Sequence, residues 1–203
     1  MFDCVVAADL DWGIGKANAL PWPKLKGDMA HFKRITSEAR EGMRNAVIQG
    51  RRTWDSAEVQ GRALPRRLNI IISRSKQTLP PGVLAARSLD EALDIARATD
   101  GLAASRFPTS ESDGSSPSLP ASTNAANTDI DLTFVIGGAQ IYREAFDHAS
   151  LRFIYLTRVL ARFDCDVFLP NLDEMGFVTV EWPGAFEGED SGVRYRVERL
   201  ARR

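Results

Sequence analysis

Residues 132–148 read LTFVIGGAQIYREAFDH, and this stretch decides the fold class. Leu132–Ile136 is a short, mainly apolar run, which is typical of a strand that is covered on both faces. Gly137 and Gly138 then lead the chain into a predicted helix over Gly138–His148, whose apolar side chains recur at helical spacing. A buried strand that passes directly into a helix is the unit from which parallel α/β sheets are built.

Similar apolar runs occur along the rest of the chain. We predict further strands at Phe2–Ala8, Ala46–Ile48, Leu68–Ile72, Leu151–Val159, Phe177–Trp182 and Val193–Leu200. The last of these alternates, with Arg194, Arg196 and Glu198 on its charged face, which indicates a half-exposed antiparallel strand. Helices are predicted over Leu25–Thr36 and after the capping box formed by Ser88 and Glu91. The sequence therefore predicts an α/β fold: a mostly parallel central sheet with helices on both faces and an antiparallel C-terminal strand.

The chain of 203 residues has the length of one ordinary domain. Hydrophobic residues make up 44% of it and charged residues 26%, a mixture from which a core can be built without disulfides. Residues 103–129 differ, because they are rich in Ser, Thr, Pro, Ala and Asn and almost free of large apolar side chains. Such a segment buries too little surface to offset its ordering entropy. We predict one domain over 1–203 with a flexible low-complexity insertion at 103–129. The alternative is a linker between two domains, although neither flank looks self-sufficient.

Charge and cysteine content argue against several classes of protein. Lys and Arg total 26 against 27 for Asp and Glu, a formal net charge of −1 that gives no support for a general binder of nucleic acid or membrane surfaces. We find no signal peptide and no apolar run long enough to cross a membrane. The two histidines and two cysteines lack the spacing of metal ligands, so no metal site is predicted. The expected compartment is a reducing cytoplasm.

The predicted helix Leu25–Thr36 carries a carboxylate on its apolar face. Asp28 lies three residues after Leu25 and four before Phe32, and residues at these spacings share one face of a helix. An acidic residue in a first turn is favoured by the helix dipole, which would be a purely structural explanation. Because an unpaired buried carboxylate is costly, the functional alternative is a pocket in which Asp28 binds a cationic or amidine-like group.

Three strand ends carry residues that suit phosphate groups. They are Gly50-Arg51-Arg52-Thr53, Ser73-Arg74 and Gly137-Gly138-Ala139-Gln140. A helix N-terminus offers free N–H groups to a phosphate, and glycine lets the backbone approach closely. Ligands of open parallel sheets bind beyond the carboxyl ends of the strands, so three such ends predict one dinucleotide site. The G-x-G-x-x-G fingerprint is absent, and arginines at these ends suit a 2′-phosphate, which favours NADPH over NADH.

Many short motifs, taken in order along the chain, resemble the dihydrofolate reductase family. The resemblance covers nearly all of the chain outside 103–129. It is carried by Gly13-Ile14-Gly15, Asn18–Pro23, Asp28–Lys33, Gly50–Ser56, Leu64–Asn69, Ile136–Tyr142, Tyr155-Leu156-Thr157 and Asp166–Pro170. Each motif alone is a weak signal, but their number and their order make a chance match improbable.

This resemblance implies an oxidoreductase that converts 7,8-dihydrofolate to 5,6,7,8-tetrahydrofolate and so supports one-carbon and thymidylate metabolism. Hydride would pass from NADPH to the pteridine, and a proton would be added at N5. The implied catalytic residues are Asp28, Trp22, Leu20 and Thr157. Asp28 would orient the pteridine, whose adjacent N–H and amino groups match the two oxygens of a carboxylate. Thr157 would hydrogen-bond Asp28, and Trp22 would help to hold a bridging water.

The resemblance also implies binding residues and partners. The substrate would contact Ala8, Met29, Phe32, Leu64, Arg67, Ile136 and Tyr142, with Arg67 pairing with the α-carboxylate of the glutamate tail. The cofactor would contact Ala7, Ile14, Gly50, Arg51, Arg52, Thr53, Ser73, Arg74, Gly137, Gly138, Ala139, Gln140 and Ile141. Residues 13–23 would form a mobile loop that closes over the nicotinamide. We expect a monomer that binds dihydrofolate and antifolate inhibitors, with no nucleic acid or membrane partner.

A few positions depart from the family pattern. Gln49 stands where an apolar residue is common before the cofactor glycine, Arg66 where a glycine is frequent, and Ala57 where a bulky apolar residue is frequent. Two other functions stay open: a related pterin or pyrimidine reductase, and a catalytically silent folate- or nucleotide-binding module. Asp28 and Arg67 together favour folate, because one matches the pteridine and the other matches the glutamate tail.

Overall fold

The structure is a computed structural model that describes residues 1–75, 78–99 and 129–203. The predicted insertion at 103–129 lies outside the described residues, apart from Asp129. The strands are β1 (Phe2–Ala8), β2 (Gly13–Gly15), β3 (Arg44–Gly50), β4 (Arg67–Ile72), β5 (Val83–Ala86), β6 (Ile130–Val135), β7 (Leu151–Val159), β8 (Val167–Phe168), β9 (Phe177–Val180), β10 (Phe186–Asp190) and β11 (Val193–Arg202). The helices are α1 (Lys26–Ser37), α2 (Arg51–Trp54), α3 (Leu89–Thr99) and α4 (Ala139–Asp147). None of these helices is long and apolar enough to cross a membrane.

One large sheet organises the fold. Its strand order is β10-β11-β7-β1-β6-β3-β4-β5, and β9 pairs with the far part of β11. The strands from β7 to β5 run parallel to one another, whereas β11 is antiparallel to β7, β9 and β10. This topology confirms the predicted fold class, including the antiparallel C-terminal strand. A separate two-stranded ribbon joins β2 to β8.

Side-chain alternation along the central strands assigns the two faces of the sheet. In β3, Ala46 and Ile48 belong to the large core cluster that α3 and α4 cover. Val47, which lies between them, packs instead with Phe134 and with Phe32 of α1. Successive side chains of a strand point to opposite faces. The helices therefore lie on both faces of the sheet, with α1 opposite α3 and α4.

The capping box predicted at the start of α3 is present in a shifted form. The hydroxyl of Ser88 accepts a hydrogen bond from the backbone N–H of Glu91 at 3.1 Å. The carboxylate of Glu91 accepts from the backbone N–H of Arg87 at 2.7 Å, one residue before the expected position. Both bonds fix the point at which the helix begins.

Two polar side chains are buried by contacts with distant parts of the chain. Glu198 was predicted on the exposed face of β11, but it is buried, and Arg158 of the neighbouring strand donates to it at 2.9 Å. His31, which lies beside Phe32 on α1, is also buried, with its ring edge-on to Trp182 and Phe186. In both cases a partner from a distant part of the chain makes the burial possible.

Candidate active site

Asp28 lies on the inner side of the first turn of α1, with 4% of its surface exposed. The hydroxyl of Thr157, on β7, donates a hydrogen bond to its Oδ1 atom at 2.6 Å. Burial raises the pKa of the Asp28 carboxyl, the Thr157 bond lowers it, and the negative charge of Asp190 raises it further. Because Thr157 is the only hydrogen-bond partner that the described residues give this carboxylate, Oδ2 is free to accept from a ligand.

The surroundings of Asp28 are apolar on both sides along the helix. Before it, Leu25 packs in a cluster with Leu20 and Trp22. After it, Phe32 packs in a second cluster. The second cluster also contains the expected substrate residues Leu64 and Ile136, whereas Met29 follows Asp28 directly and is half-buried. The Asp28 carboxylate therefore lies between two apolar groups of side chains.

The structure does not bring Ala8 to this group. Ala8 belongs to the core on the face that α3 and α4 cover, together with Cys4 and Val6. Ala7 points to the opposite face, where it packs with the cluster of Trp22. Our expectation for Ala8 was wrong by one residue, and in a strand one residue reverses the face.

Two residues of the predicted substrate set, Tyr142 and Arg67, make hydrogen bonds within the protein. The Tyr142 hydroxyl is buried and donates to the backbone carbonyl of Val5 at 2.5 Å. Arg67 is 9% exposed; its Nη1 donates to the Thr36 hydroxyl at 2.7 Å and its Nε to the Pro65 carbonyl at 3.0 Å. No carboxylate within the described ranges pairs with Arg67. Burial and the neighbouring Arg66 charge lower its pKa, so the site favours an added anion.

Arg66 occupies the position where a glycine was expected. Its backbone φ is 63°, in the left-handed region that glycine adopts most easily. Its guanidinium donates to the Ser37 hydroxyl at 3.2 Å. The side chain is exposed, and a second positive charge therefore lies beside the buried Arg67.

A cavity of about 810 Å³ opens beyond the carboxyl ends of the parallel strands. All the residues expected to bind the cofactor line it, and so do Leu20, Ile136 and Tyr142. The cofactor set is Ala7, Ile14, Gly50, Arg51, Arg52, Thr53, Ser73, Arg74, Gly137, Gly138, Ala139, Gln140 and Ile141. Ligands of open parallel sheets bind at this edge, as the order of strands and helices predicts.

The two glycines after β6 make a close approach possible between neighbouring strand ends. The backbone N–H of Gly50 donates to the carbonyl of Gly137 at 2.8 Å. Gly137 has a φ of 126°, and a Cβ on Gly138 would lie 3.0 Å from the hydroxyl oxygen of Thr53. Side chains at these positions would fill the space in front of α4. The bare backbone leaves a cradle of the kind that holds a pyrophosphate at a helix N-terminus.

Among the described residues, four arginines line the cavity, and the sequence had indicated three of them. Arg51 pairs with Asp55 at 3.5 Å, while Arg52 and Arg74 have no carboxylate partner in the part of the chain that the structure describes. The fourth, Arg87, was missed together with Ser88. Both follow β5, a short strand that we did not predict. Because ligands of open parallel sheets bind beyond the carboxyl ends of the strands, a prediction of β5 would have indicated both residues.

The segment over residues 13–23 forms one wall of the same cavity. Ile14, Asn18 and Leu20 line it, and Glu58 accepts the backbone N–H of Leu20 at 2.9 Å. Trp22 is buried edge-on to Phe163. Asn18, Ser56 and Glu58 were missed as lining residues, because polar residues in loops carry no periodic signal.

The family model described as Dihydrofolate reductase matches residues 1–105 and 103–202. The dihydrofolate reductase of Pneumocystis carinii is 37% identical over 191 residues, which are 91% of this chain and 79% of that protein. That of Rattus norvegicus is 32% identical over 201 residues, which are 97% of this chain and 94% of that protein.

A comparison with solved structures gives the same result. The Schistosoma mansoni dihydrofolate reductase matches with a TM-score of 0.74 and 30% identity, over 98% of this chain and 97% of that one. The matches in sequence and in structure extend over nearly the whole chain. The chain therefore belongs to the dihydrofolate reductase family.

Proposed function

We propose that this protein reduces 7,8-dihydrofolate to 5,6,7,8-tetrahydrofolate with NADPH as the reductant. The observation that carries the proposal is Asp28, a buried carboxylate that the Thr157 hydroxyl holds at 2.6 Å between apolar clusters. The relatives named dihydrofolate reductase support the same reaction. We further propose a monomeric single domain that acts in the cytoplasm and binds antifolate inhibitors.

The substrate would be bound at both of its ends. A pteridine presents an N–H and an amino group side by side, and Asp28 can accept from both, which fixes the orientation of the ring. The buried guanidinium of Arg67 has no carboxylate partner in the described ranges and suits the α-carboxylate of the glutamate tail. Phe32, Leu64 and Ile136 would contact the apolar part between these ends.

The cavity fits a dinucleotide that carries phosphate groups. Gly137 and Gly138 leave room for a pyrophosphate, while Arg52 and Arg74, which have no carboxylate partner among the described residues, offer cations for a 2′-phosphate. NADPH, when bound, supplies the hydride. The side chains around it exclude water and hold the two reactants in contact, and Leu20 and Trp22 contribute to this wall.

Asp28 would also favour protonation of the pteridine at N5. Its burial raises the pKa of the carboxyl, so a proton is retained closer to neutral pH than on an exposed aspartate. Thr157 fixes the orientation of the carboxyl group. A water at the pocket mouth, close to Trp22, would carry the proton to N5.

The test follows the absorbance of NADPH with purified protein, with and without dihydrofolate. We expect oxidation that depends on dihydrofolate and a much lower rate with NADH. Arg52→Gln should raise the KM for NADPH and leave that for NADH nearly unchanged. Folded protein that does not oxidise NADPH in the presence of dihydrofolate would contradict the proposed function. Equal rates with the two cofactors would contradict the choice of NADPH.

A further inference from the structure

The helix that carries Asp28 begins without a cap of its own. Its N-cap residue, Leu25, is apolar, and no local side chain in the described ranges caps the first turn. The first N–H groups of a helix need partners from outside it. Here the partner comes from the far end of the chain, because the Asp190 carboxylate accepts the backbone N–H of Gly27 at 2.9 Å.

Tyr195 strengthens this contact, because its hydroxyl donates to the same Oδ2 atom of Asp190 at 2.9 Å. The tyrosine is buried, and its ring is edge-on to Phe186. A Cβ on Gly27 would collide with the Tyr195 hydroxyl, so the absence of a side chain at Gly27 makes the contact possible.

The hairpin of β10 and β11 presents Asp190 rigidly. Asp190 pairs with Val193 across a two-residue turn in which Ser191 and Gly192 have φ values of 53° and 74°. Two positive φ values are the geometry of a tight type I′ hairpin. Further along β11, Val197 pairs with Thr157. Strand β11, which carries Tyr195, is thus the direct neighbour of β7, which carries Thr157, the residue whose hydroxyl donates to Asp28.

We propose that Asp190 and Tyr195 are positioning residues for Asp28, which fix the first turn of α1 so that the carboxylate keeps one orientation in the pocket. The charge of Asp190 has a second effect, since a nearby anion favours the protonated form of Asp28. The part of the inference that concerns turnover rests on the proposed function.

The charged and titratable groups that act on Asp28 or on Asp190 come from α1, α4 and the hairpin: Lys26, Tyr142, Asp190 and Tyr195. His31 lies three residues after Asp28 on α1. Hydrogen bonds from Gly27 and Tyr195 lower the pKa of Asp190, which therefore stays ionised at neutral pH. Burial lowers the pKa of His31 to about 4, so that ring is neutral there. Asp190 is the negative charge through which the hairpin acts on Asp28.

The first experiment measures kcat and KM for dihydrofolate between pH 5 and pH 9. Asp190→Asn keeps an oxygen acceptor for Gly27 and removes the charge. We expect the ratio of kcat at pH 8 to kcat at pH 6 to fall by about threefold, because Asp28 loses a proton more readily without the neighbouring anion. Glu189→Gln is the matched control, since it removes the same charge from the adjacent exposed residue and should leave the profile unchanged.

Tyr195→Phe tests the positioning role without changing a charge. It keeps the ring and removes the hydroxyl that donates to the Asp190 carboxylate. We expect kcat to fall by roughly threefold to tenfold with little change in the KM for NADPH, because the carboxylate is held less rigidly. A rise in that KM with an unchanged kcat would overturn the assignment, since it would indicate a general loosening of the fold.

The second experiment does not depend on turnover. With carboxyl-labelled aspartate, an NMR titration should show Asp28 titrating at lower pH in Asp190→Asn than in the wild type or in Glu189→Gln. If the wild type fails to oxidise NADPH while this titration moves, the proposed function is wrong and the positioning role stands. If neither the titration nor the pH profile of Asp190→Asn differs from that of Glu189→Gln, the positioning role is overturned. If Asp190→Asn does not fold, the test uses Tyr195→Phe instead. The positioning role then requires that the amide resonances of Gly27 and Asp28 shift in this variant relative to the wild type.

Discussion

Replacing Gln49 with methionine should make the protein more stable. Gln49 is fully buried on β3, and neither Oε1 nor Nε2 has a hydrogen-bond partner within residues 1–75, 78–99 and 129–203. Across the sheet it pairs with Ile71, which is also fully buried. Burying an amide without partners costs about 1–3 kcal/mol in mutational data. Methionine keeps the length of the side chain and removes both polar atoms, so Gln49→Met should raise the free energy of unfolding by about 1–3 kcal/mol.

The measurement is urea unfolding at pH 7.5, followed by tryptophan fluorescence, with calorimetry as a second method. For a domain of this size, each kcal/mol corresponds to about 2–4 °C in Tm. The slope of unfolding free energy against urea should not change, because the surface exposed on unfolding is nearly the same. Gln60→Met is the control: Gln60 is exposed and accepts from Arg62 at 2.8 Å, so its replacement should change stability by less than about 0.5 kcal/mol.

Two results would refute this reasoning. A Gln49→Met variant that is clearly less stable than the wild type would mean that the amide is satisfied, for example by an internal water. An equal gain in Gln60→Met would mean that any added apolar surface stabilises the chain. In the first case the polar side chain at this position would be part of a buried network.

Four further predictions follow from the same structure. Asp28→Asn should lower turnover by about 100-fold or more at neutral pH and by less at acidic pH, where protonated substrate is available; an equal loss at both pH values would contradict the proton role. Arg67→Gln should raise the KM for dihydrofolate by roughly 10- to 100-fold through the lost charge-assisted bonds, and a pterin substrate without the glutamate tail should show no such effect. Burial, reinforced by the Arg34 charge, lowers the pKa of His31 from 6.5 to about 4, so the unfolded chain binds a proton that the folded chain does not. Stability should therefore fall as the pH drops from 6.5 to 4, by on the order of 3 kcal/mol, and urea titrations of His31→Gln should lack this part of the pH dependence. Deleting residues 105–128 should leave kcat and KM within a few-fold, because this segment has almost no large apolar side chain to bury; a variant that no longer folds would show that the segment is structural.

The spacing of residues along a helix predicted which face of α1 carries Asp28. The alternation of residues along a strand did not show which face of the sheet carries Ala8. Spacings of three and four residues put Asp28 on the face of Leu25 and Phe32 wherever the helix begins, so small errors in the boundaries did not matter. Ala7 and Ala8 are both small and adjacent, and sequence alone does not say which of them points to the pocket. Only the pairing of β1 with its neighbours fixes that choice.

Features built by distant parts of the chain were not predictable. The partner of the Gly27 N–H lies 163 positions away on a hairpin whose strand Phe186–Asp190 reads FEGED, without an apolar run. Likewise, His31 is buried because Trp182 and Phe186 cover it from the same part of the chain. Such contacts depend on tertiary docking, for which local pattern carries no signal.

The place of β1 in the sheet has a consequence for how the polypeptide is made. Both neighbours of β1 come from residues 130–159, so β1 leaves the ribosome long before either of the strands that supply its hydrogen-bond partners. Until then, an apolar strand with two open edges is exposed, and such edges promote aggregation. Closing these long-range pairings also slows folding. We therefore expect the nascent chain to depend on chaperones during translation, and fragments that end before β6 to precipitate instead of folding.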